Sequence, residues 1–204
     1  MPEQLSSEKQ SVILNAARKR FAYYGFSKVT MDEIAADIGM GKASLYYYFP
    51  TKESLFEEVV KQEKKQFFND IDSMVAEKIT PCEMLRRYAA KRIEHFRNLA
   101  NLRALGLQQY GEMKSWSVGL YEDFQKQEVS ALMQILQVGK KTGDFVVSNS
   151  QQSAEVIMQM LYGPRSWFLH KMQSNLDDEQ TFRLIGQATK EIVEIILNGI
   201  RKRK

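Results

Sequence analysis

The stretch Thr30 to Lys52, TMDEIAADIGMGKASLYYYFPTK, constrains this chain more than any other part of it. Thr30 with Glu33 three residues on has the form of a capping box, in which a hydroxyl and a carboxylate satisfy two backbone amides at a helix start. Ile34, Ala35 and Ile38 then supply one inner face over about two turns. Gly39 offers the left-handed backbone that a tight turn needs, and a second short helix is expected from about Lys42 to Tyr48. Ala35 is small enough to let that helix cross closely, and Leu45 plugs the pair. Two short helices joined by a three-residue turn have helix-turn-helix spacing. The arrangement leaves Lys42, Ala43, Ser44, Tyr46 and Tyr47 on or near an open face, where a recognition helix would meet a major groove.

A plain helical hairpin with small residues at its crossing would account for the spacing alone. The run Tyr46, Tyr47, Tyr48 asks for more. Successive helical residues point about 100° apart, so all of them cannot enter one core and some must face water. Exposed hydroxyls beside Lys42 and Lys52 suit phosphate oxygens, which take most protein–DNA hydrogen bonds. Lys52 also falls in the first turn of the next helix, whose amides favour an anion.

Elsewhere the sequence reads as helix throughout, without an alternating strand pattern or an internal repeat, so the expected fold class is all-α with about nine helices. The first is expected after Ser7, which with Gln10 can form a capping box, and carries Val12, Ile13, Ala16, Ala17, Phe21 and Tyr24 inward before Gly25. Thr51 caps a long fourth helix. Thr80-Pro81-Cys82-Glu83 combines a cap, a first-turn proline and an acidic third position, which starts a fifth. A sixth is expected over roughly Ala100 to Tyr110, a seventh over Val118 to Lys141, and two more over Gln151 to Met172 and Asp178 to Ile200. The reading divides the chain into a DNA-binding domain at residues 1–51 and a larger helical domain at 52–204, with the fourth helix, about 52–76, as connector.

From Ile13 to Leu55 the residues Ala16, Ala17, Phe21, Gly25, Thr30, Ile34, Ala35, Gly39, Lys42, Leu45, Tyr46, Tyr48, Phe49, Lys52 and Leu55 together resemble the DNA-binding domain of the TetR family of transcriptional regulators. The likeness covers about a quarter of the chain. It implies a reader in helices one to three and a ligand-binding and dimerisation core behind the fourth. Carried over by position, it places Lys42, Ala43 and Ser44 at bases, Tyr46, Tyr48 and Lys52 at phosphates, and Met31 near a further phosphate. Gly41 stands where the family usually has a serine or a similar cap for the recognition helix, and glycine adds no side-chain acceptor there. The last two helices of each subunit would form a four-helix bundle in a homodimer, setting two recognition helices about one DNA turn apart on double-stranded operator DNA. For the dimer interface this points to Ile157, Leu161 and Phe168, with Ile185, Ile192 and Ile196.

The second half carries Met84, Met113, Met133, Met158, Met160 and Met172 among many aromatic rings. Such residues are ordinary core at helical spacing, but their number suits a cavity for a small apolar or aromatic effector. Tyr110, Met113, Trp116, Tyr121, Phe124, Met158, Tyr162 and Trp167 are the candidates to line it. His95 and His170 read as helix-end or surface residues. A net charge of +4 and a pI near 9.0 permit an anionic partner without establishing one. The single cysteine, Cys82, suits a reducing cytoplasm, and neither a secretory signal nor an apolar run near the roughly 20 residues of a membrane span is present. A phosphate loop, a metal-ligand pair and an activated nucleophile are all missing, so the chain reads as neither an enzyme nor a holder of metal or cofactor. A helical scaffold without sequence-specific DNA binding is the alternative.

Overall fold

A computed structural model of the chain describes residues 2–98, 115–171 and 178–202. Eight helices are described: α1 (Pro2–Tyr24), α2 (Met31–Asp37), α3 (Lys42–Tyr48), α4 (Lys52–Ala76), α5 (Pro81–Asn98), α6 (Ser115–Thr142), α7 (Ser150–Lys171) and α8 (Asp178–Ile200). Among the described residues the only extended pairing is an isolated bridge between Phe145 and Arg201. The helix expected near Ala100 to Tyr110 lies outside the described residues.

The helix starts follow the capping chemistry. Thr30 Oγ1 accepts from the Glu33 amide while the Glu33 carboxylate accepts from the Thr30 amide, closing the box reciprocally. Ser54 N–H donates to Thr51 Oγ1, and Thr51 N–H donates to the Ser54 hydroxyl, at the start of α4. Glu83 N–H donates to Thr80 Oγ1, with Pro81 as the first residue of α5, where its missing amide hydrogen costs nothing. The first helix departs from expectation. It begins at Pro2 rather than after Ser7, because a proline is as well suited to a first turn as a serine is to a cap.

The chain forms two compact units, one built on Met1–Lys65 and the other on Gln66–Arg97 and Tyr121–Lys204. In the first, Ile13, Leu14, Ala17 and Phe21 of α1 meet Ile34 and Ala35 of α2, Leu45 of α3, and Leu55, Phe56 and Val59 of α4. Phe56 stands edge-on to Phe21 and Phe26 at 5.1 and 5.0 Å, an arrangement worth about 0.5–1.5 kcal/mol per pair beyond burial. Val12 and Tyr24, expected inside, are exposed at about half of their surface. The buried stripe of α1 runs through Ile13, Ala17 and Phe21, and Leu14 rather than Val12 widens it.

The second unit packs Phe67, Ile71 and Met74 of α4, Leu85 and Tyr88 of α5, Leu132, Ile135 and Leu136 of α6, Ala154, Ile157 and Leu161 of α7, and Val193, Ile196 and Leu197 of α8. A Cβ added at Gly139 would lie 2.1 Å from the Phe145 ring, so glycine is what lets the loop after α6 fold back onto that helix. From there Val146 N–H reaches the Ile200 carbonyl and Lys202 N–H the Asp144 carbonyl, tying the loop to the end of α8. Among the described residues no helix is long and apolar enough to cross a membrane.

Candidate functional site

Gly39 has φ +61°, the left-handed conformation that reverses the chain between α2 and α3. Met40 N–H returns to the Ala35 carbonyl, and Leu45, fully buried, fastens α3 from below. Gly41 occupies the cap of α3 and makes no side-chain bond there. What this scaffold presents to solvent is a short row: Lys42, Ala43 and Ser44 are exposed, Tyr46 is 38% exposed and Tyr47 82%, while Tyr48 is half-buried against the core. The three-tyrosine run is split between faces as helical geometry requires.

The cations of this surface are not equivalent. Lys42 Nζ lies 2.8 Å from Asp32 Oδ2 in the first turn of α2 and 5.9 Å from the Tyr46 ring centroid, and the bond to Asp32 holds its ammonium above the usual lysine range. Both partners are exposed, so the pair is worth little and is easily exchanged for another acceptor. Lys52 points inward. Its Nζ donates to the carbonyls of Phe26 and Val29 at 2.9 and 3.0 Å and sits 4.5 Å from the Phe26 ring, pinning the loop between α1 and α2 to the start of α4. An ammonium has three donors, which leaves one for an outside partner. Met31 is a core residue at 5% exposure, so its side chain is not part of the open surface. Behind the surface, Arg20 of α1 grips the end of α2 through both oxygens of Asp37, the Nη2 bond being 2.7 Å.

In the second unit the sequence candidates divide. Tyr110 and Met113 lie outside the described residues, as do the side chains of Trp116, Tyr121, Trp167 and Phe168. Phe124, Met158 and Tyr162 are described, and they belong to one packed cluster. Its polar centre escaped the sequence reading. Glu128 of α6, fully buried, accepts from Tyr88 Oη at 2.9 Å and Arg92 Nε at 2.5 Å through one oxygen, and from Tyr162 Oη at 2.7 Å through the other. Arg92 also donates to the Leu161 carbonyl of α7 at 3.1 Å, and its guanidinium lies 4.3 Å from the Tyr162 ring centroid. Burial works against the Arg92 charge, and Glu128 more than offsets it; burial also holds the Tyr88 hydroxyl well above its ordinary range. Removing one member of such a pair typically costs about 3–5 kcal/mol.

His95, read from sequence as a helix-end or surface residue, stacks instead on Phe67 at 4.6 Å and on Phe124 at 5.7 Å. Burial, with the Arg92 charge second, keeps the imidazole down at about 4 and therefore neutral near pH 7. The signal was available: Tyr88, Arg92 and His95 recur at four and three residues along α5, one helical face. Glu128 likewise interrupts the apolar row of Phe124, Leu132 and Ile135 on α6.

The interface candidates also divide. Ile157, Leu161, Ile185 and Ile196 are buried within the chain's own second unit, and Ile192 is half-buried. The large apolar side chains left outside on α7 and α8 are Val156 at 49%, Met160 at 38% and Ile195 at 63%.

These two short helices, set on a helical core with their second helix exposed, define a helix-turn-helix protein of the all-helical class. Residues 13–59 match the family model of the bacterial regulatory proteins of the tetR family. A transcriptional regulator from Cytophaga hutchinsonii ATCC 33406 is 38% identical with a TM-score of 0.87, over 95% of this chain and 99% of that one. The HTH-type transcriptional regulator YhgD of Bacillus subtilis (strain 168) is 28% identical over 159 residues, 76% of this chain and 82% of the relative. A protein from Saccharomonospora viridis, solved in complex with choline, shares the fold at 17% identity and a TM-score of 0.75, over 97% and 100% of the two chains. The chain belongs to the TetR family and is a transcriptional regulator.

Proposed function

We propose that this regulator is a repressor that grips operator DNA as a two-fold dimer and is released by a small, uncharged, apolar or aromatic effector. The observation that carries the reading is the exposed row on α3. Lys42, Ala43 and Ser44 would face base edges, and Tyr46, Tyr47, Tyr48 and the remaining donor of Lys52 would face phosphates. Met31 would contribute through its backbone at the start of α2. Val156, Met160 and Ile195 support the dimer, as apolar side chains on the two C-terminal helices that the chain itself leaves uncovered.

The effector class follows from charge bookkeeping around Phe124, Met158 and Tyr162. Arg92 and Glu128 compensate one another and His95 is neutral, so a ligand entering among these rings finds no unbalanced charge to answer. Flat faces at Phe67, Phe68 and Phe124 suit an aromatic or apolar body. A relative of the same fold holds choline, which shows that such a scaffold accommodates a small organic molecule.

The test of the DNA reading is selection of duplexes from a random library, followed by titration of a selected and a random duplex at two salt concentrations. Binding to both should weaken with salt, the selected duplex remaining tighter. Lys42→Ala should change the preferred base at one position by about 1–3 kcal/mol if Lys42 meets a guanine. A wild-type protein that selects no sequence would remove operator recognition from this chain.

A further inference from the structure

An open cleft of about 590 Å³ runs along the flank of α3, lined by Lys9 of α1, by the turn at Gly39 and Gly41, and by Ser44, Tyr47 and Tyr48. A Cβ at either glycine would meet nothing within 4 Å, so the main chain there stands open to an approaching group. The lining is rich in donors, with an ammonium and three hydroxyls, and among the described residues no carboxylate lines it. Lys9 differs from the neighbouring cations in being uncommitted. Lys42 is bonded to Asp32 and Arg20 to Asp37, whereas Lys9 has no ion-pair partner among the described residues.

A concave surface with one free cation, several hydroxyl donors and no competing negative charge fits an oxyanion. Its position narrows the choice, because Ser44 and Ala43 line the cleft and also belong to the exposed row proposed above to face base edges. A strand whose bases meet those residues carries its sugar-phosphate chain along the helix flank. We propose that this cleft seats the DNA backbone beside the bases faced by α3, with Lys9 as a phosphate ligand that fixes the reader's position without reading sequence. The inference rests on the DNA-binding reading and adds to it a residue from α1, outside the helix-turn-helix.

The experiment uses the full-length protein with a random 30-base-pair duplex and with a duplex selected by the wild type. Lys9→Ala should lower affinity for both by the same factor, roughly 3- to 10-fold, and reduce the slope of log K against log salt by about 0.9, as for one lost phosphate contact. Lys9→Arg should keep the wild-type slope. An unchanged slope in Lys9→Ala overturns the proposal, as does an equal loss in both variants, which would mark a role for shape rather than charge. Loss confined to the selected duplex would make Lys9 a base reader and overturn it too. A wild type without affinity for either duplex would fail at the DNA reading itself, and the two failures are thereby told apart.

Discussion

Lys52 shows how one side chain can carry two duties that a sequence merges into one. Its place after the tyrosine run suggests a phosphate contact, but two of its donors close the carbonyls of Phe26 and Val29, and the charge rests on an aromatic face. Lys52→Ala should therefore lower duplex affinity uniformly across sequences and also lower the stability of the reader, by roughly 1–2 kcal/mol for charge-assisted bonds at a half-buried site. Chemical denaturation without DNA checks the second effect; an unchanged midpoint would confine Lys52 to phosphate. His95 was hidden for a related reason, since polarity at a helix end is the usual signature of solvent and nothing local announces the rings of Phe67 and Phe124. Its pKa near 4 lies below the 6.5 of an ordinary histidine, so the unfolded chain binds the extra proton first. Stability is lost as pH falls from about 6.5 to about 4, by up to about 1.4 kcal/mol per pH unit, and the loss is absent above that window. Glu63 acts in the opposite sense. Burial raises its carboxyl to about 7 against a smaller opposing pull from Arg18, so its contribution is lost as pH rises between about 4.5 and 7. The measurement is accordingly a difference: His95→Leu should gain on the wild type as pH drops through the histidine window, and parallel curves would place the imidazole in solvent.

At the scale of elements, the sequence was most legible where the controlling atoms are neighbours in the chain. Thr30 with Glu33, Thr51 with Ser54 and Thr80 with Glu83 settle helix starts within four residues, and the observed starts of α2, α4 and α5 follow them. Helix faces were harder, because periodicity tells which stripe is apolar but not whether its own chain or another covers it. The last helix is apolar beyond one narrow stripe; Val193, Ile196 and Leu197 enter the chain's core, while Ile195, pointing about 100° away from Ile196, remains 63% exposed. On α7 the same division sets Ile157 and Leu161 inside and Val156 and Met160 outside. The outward set therefore separates assembly from folding. Ile195→Glu should yield a folded monomer, with the wild-type circular dichroism spectrum and half the mass by light scattering, whereas Ile196→Glu should damage the fold by burying an unpaired charge. Retention of the dimer by both Ile195→Glu and Val156→Glu would move the interface elsewhere on the chain.

Taken as a whole molecule, the regulator needs its two functions to exchange free energy, and α4 is the element shared by both compact units, contributing Lys52–Lys65 to one and Gln66–Ala76 to the other. Near Lys52 it carries the ammonium that fastens the reader's loop; farther along, Phe67 joins His95 and Phe124 in the aromatic cluster. Phe67 thus touches the rings among which the proposed effector would lie. A ligand that binds better with Phe67 displaced biases the path of α4, and a two-fold dimer on half-sites of fixed spacing tolerates little change in the separation of its recognition helices. Only such differential affinity can shift the equilibrium; a ligand fitting both positions of α4 equally would bind without releasing DNA. Coupling of this kind is reciprocal, so operator DNA must weaken effector binding by the factor with which effector weakens DNA binding, commonly 5- to 150-fold. Flat uncharged aromatics found by thermal-shift screening supply the ligand, titrated by calorimetry into free protein and into the complex with a selected duplex. Phe67→Leu, which removes the ring but keeps an apolar side chain, should reduce the ratio of the two dissociation constants more than it changes duplex affinity measured without ligand. A ratio of one in the wild type would leave a DNA-binding dimer with a bound ligand and no induction, and would sink release through α4.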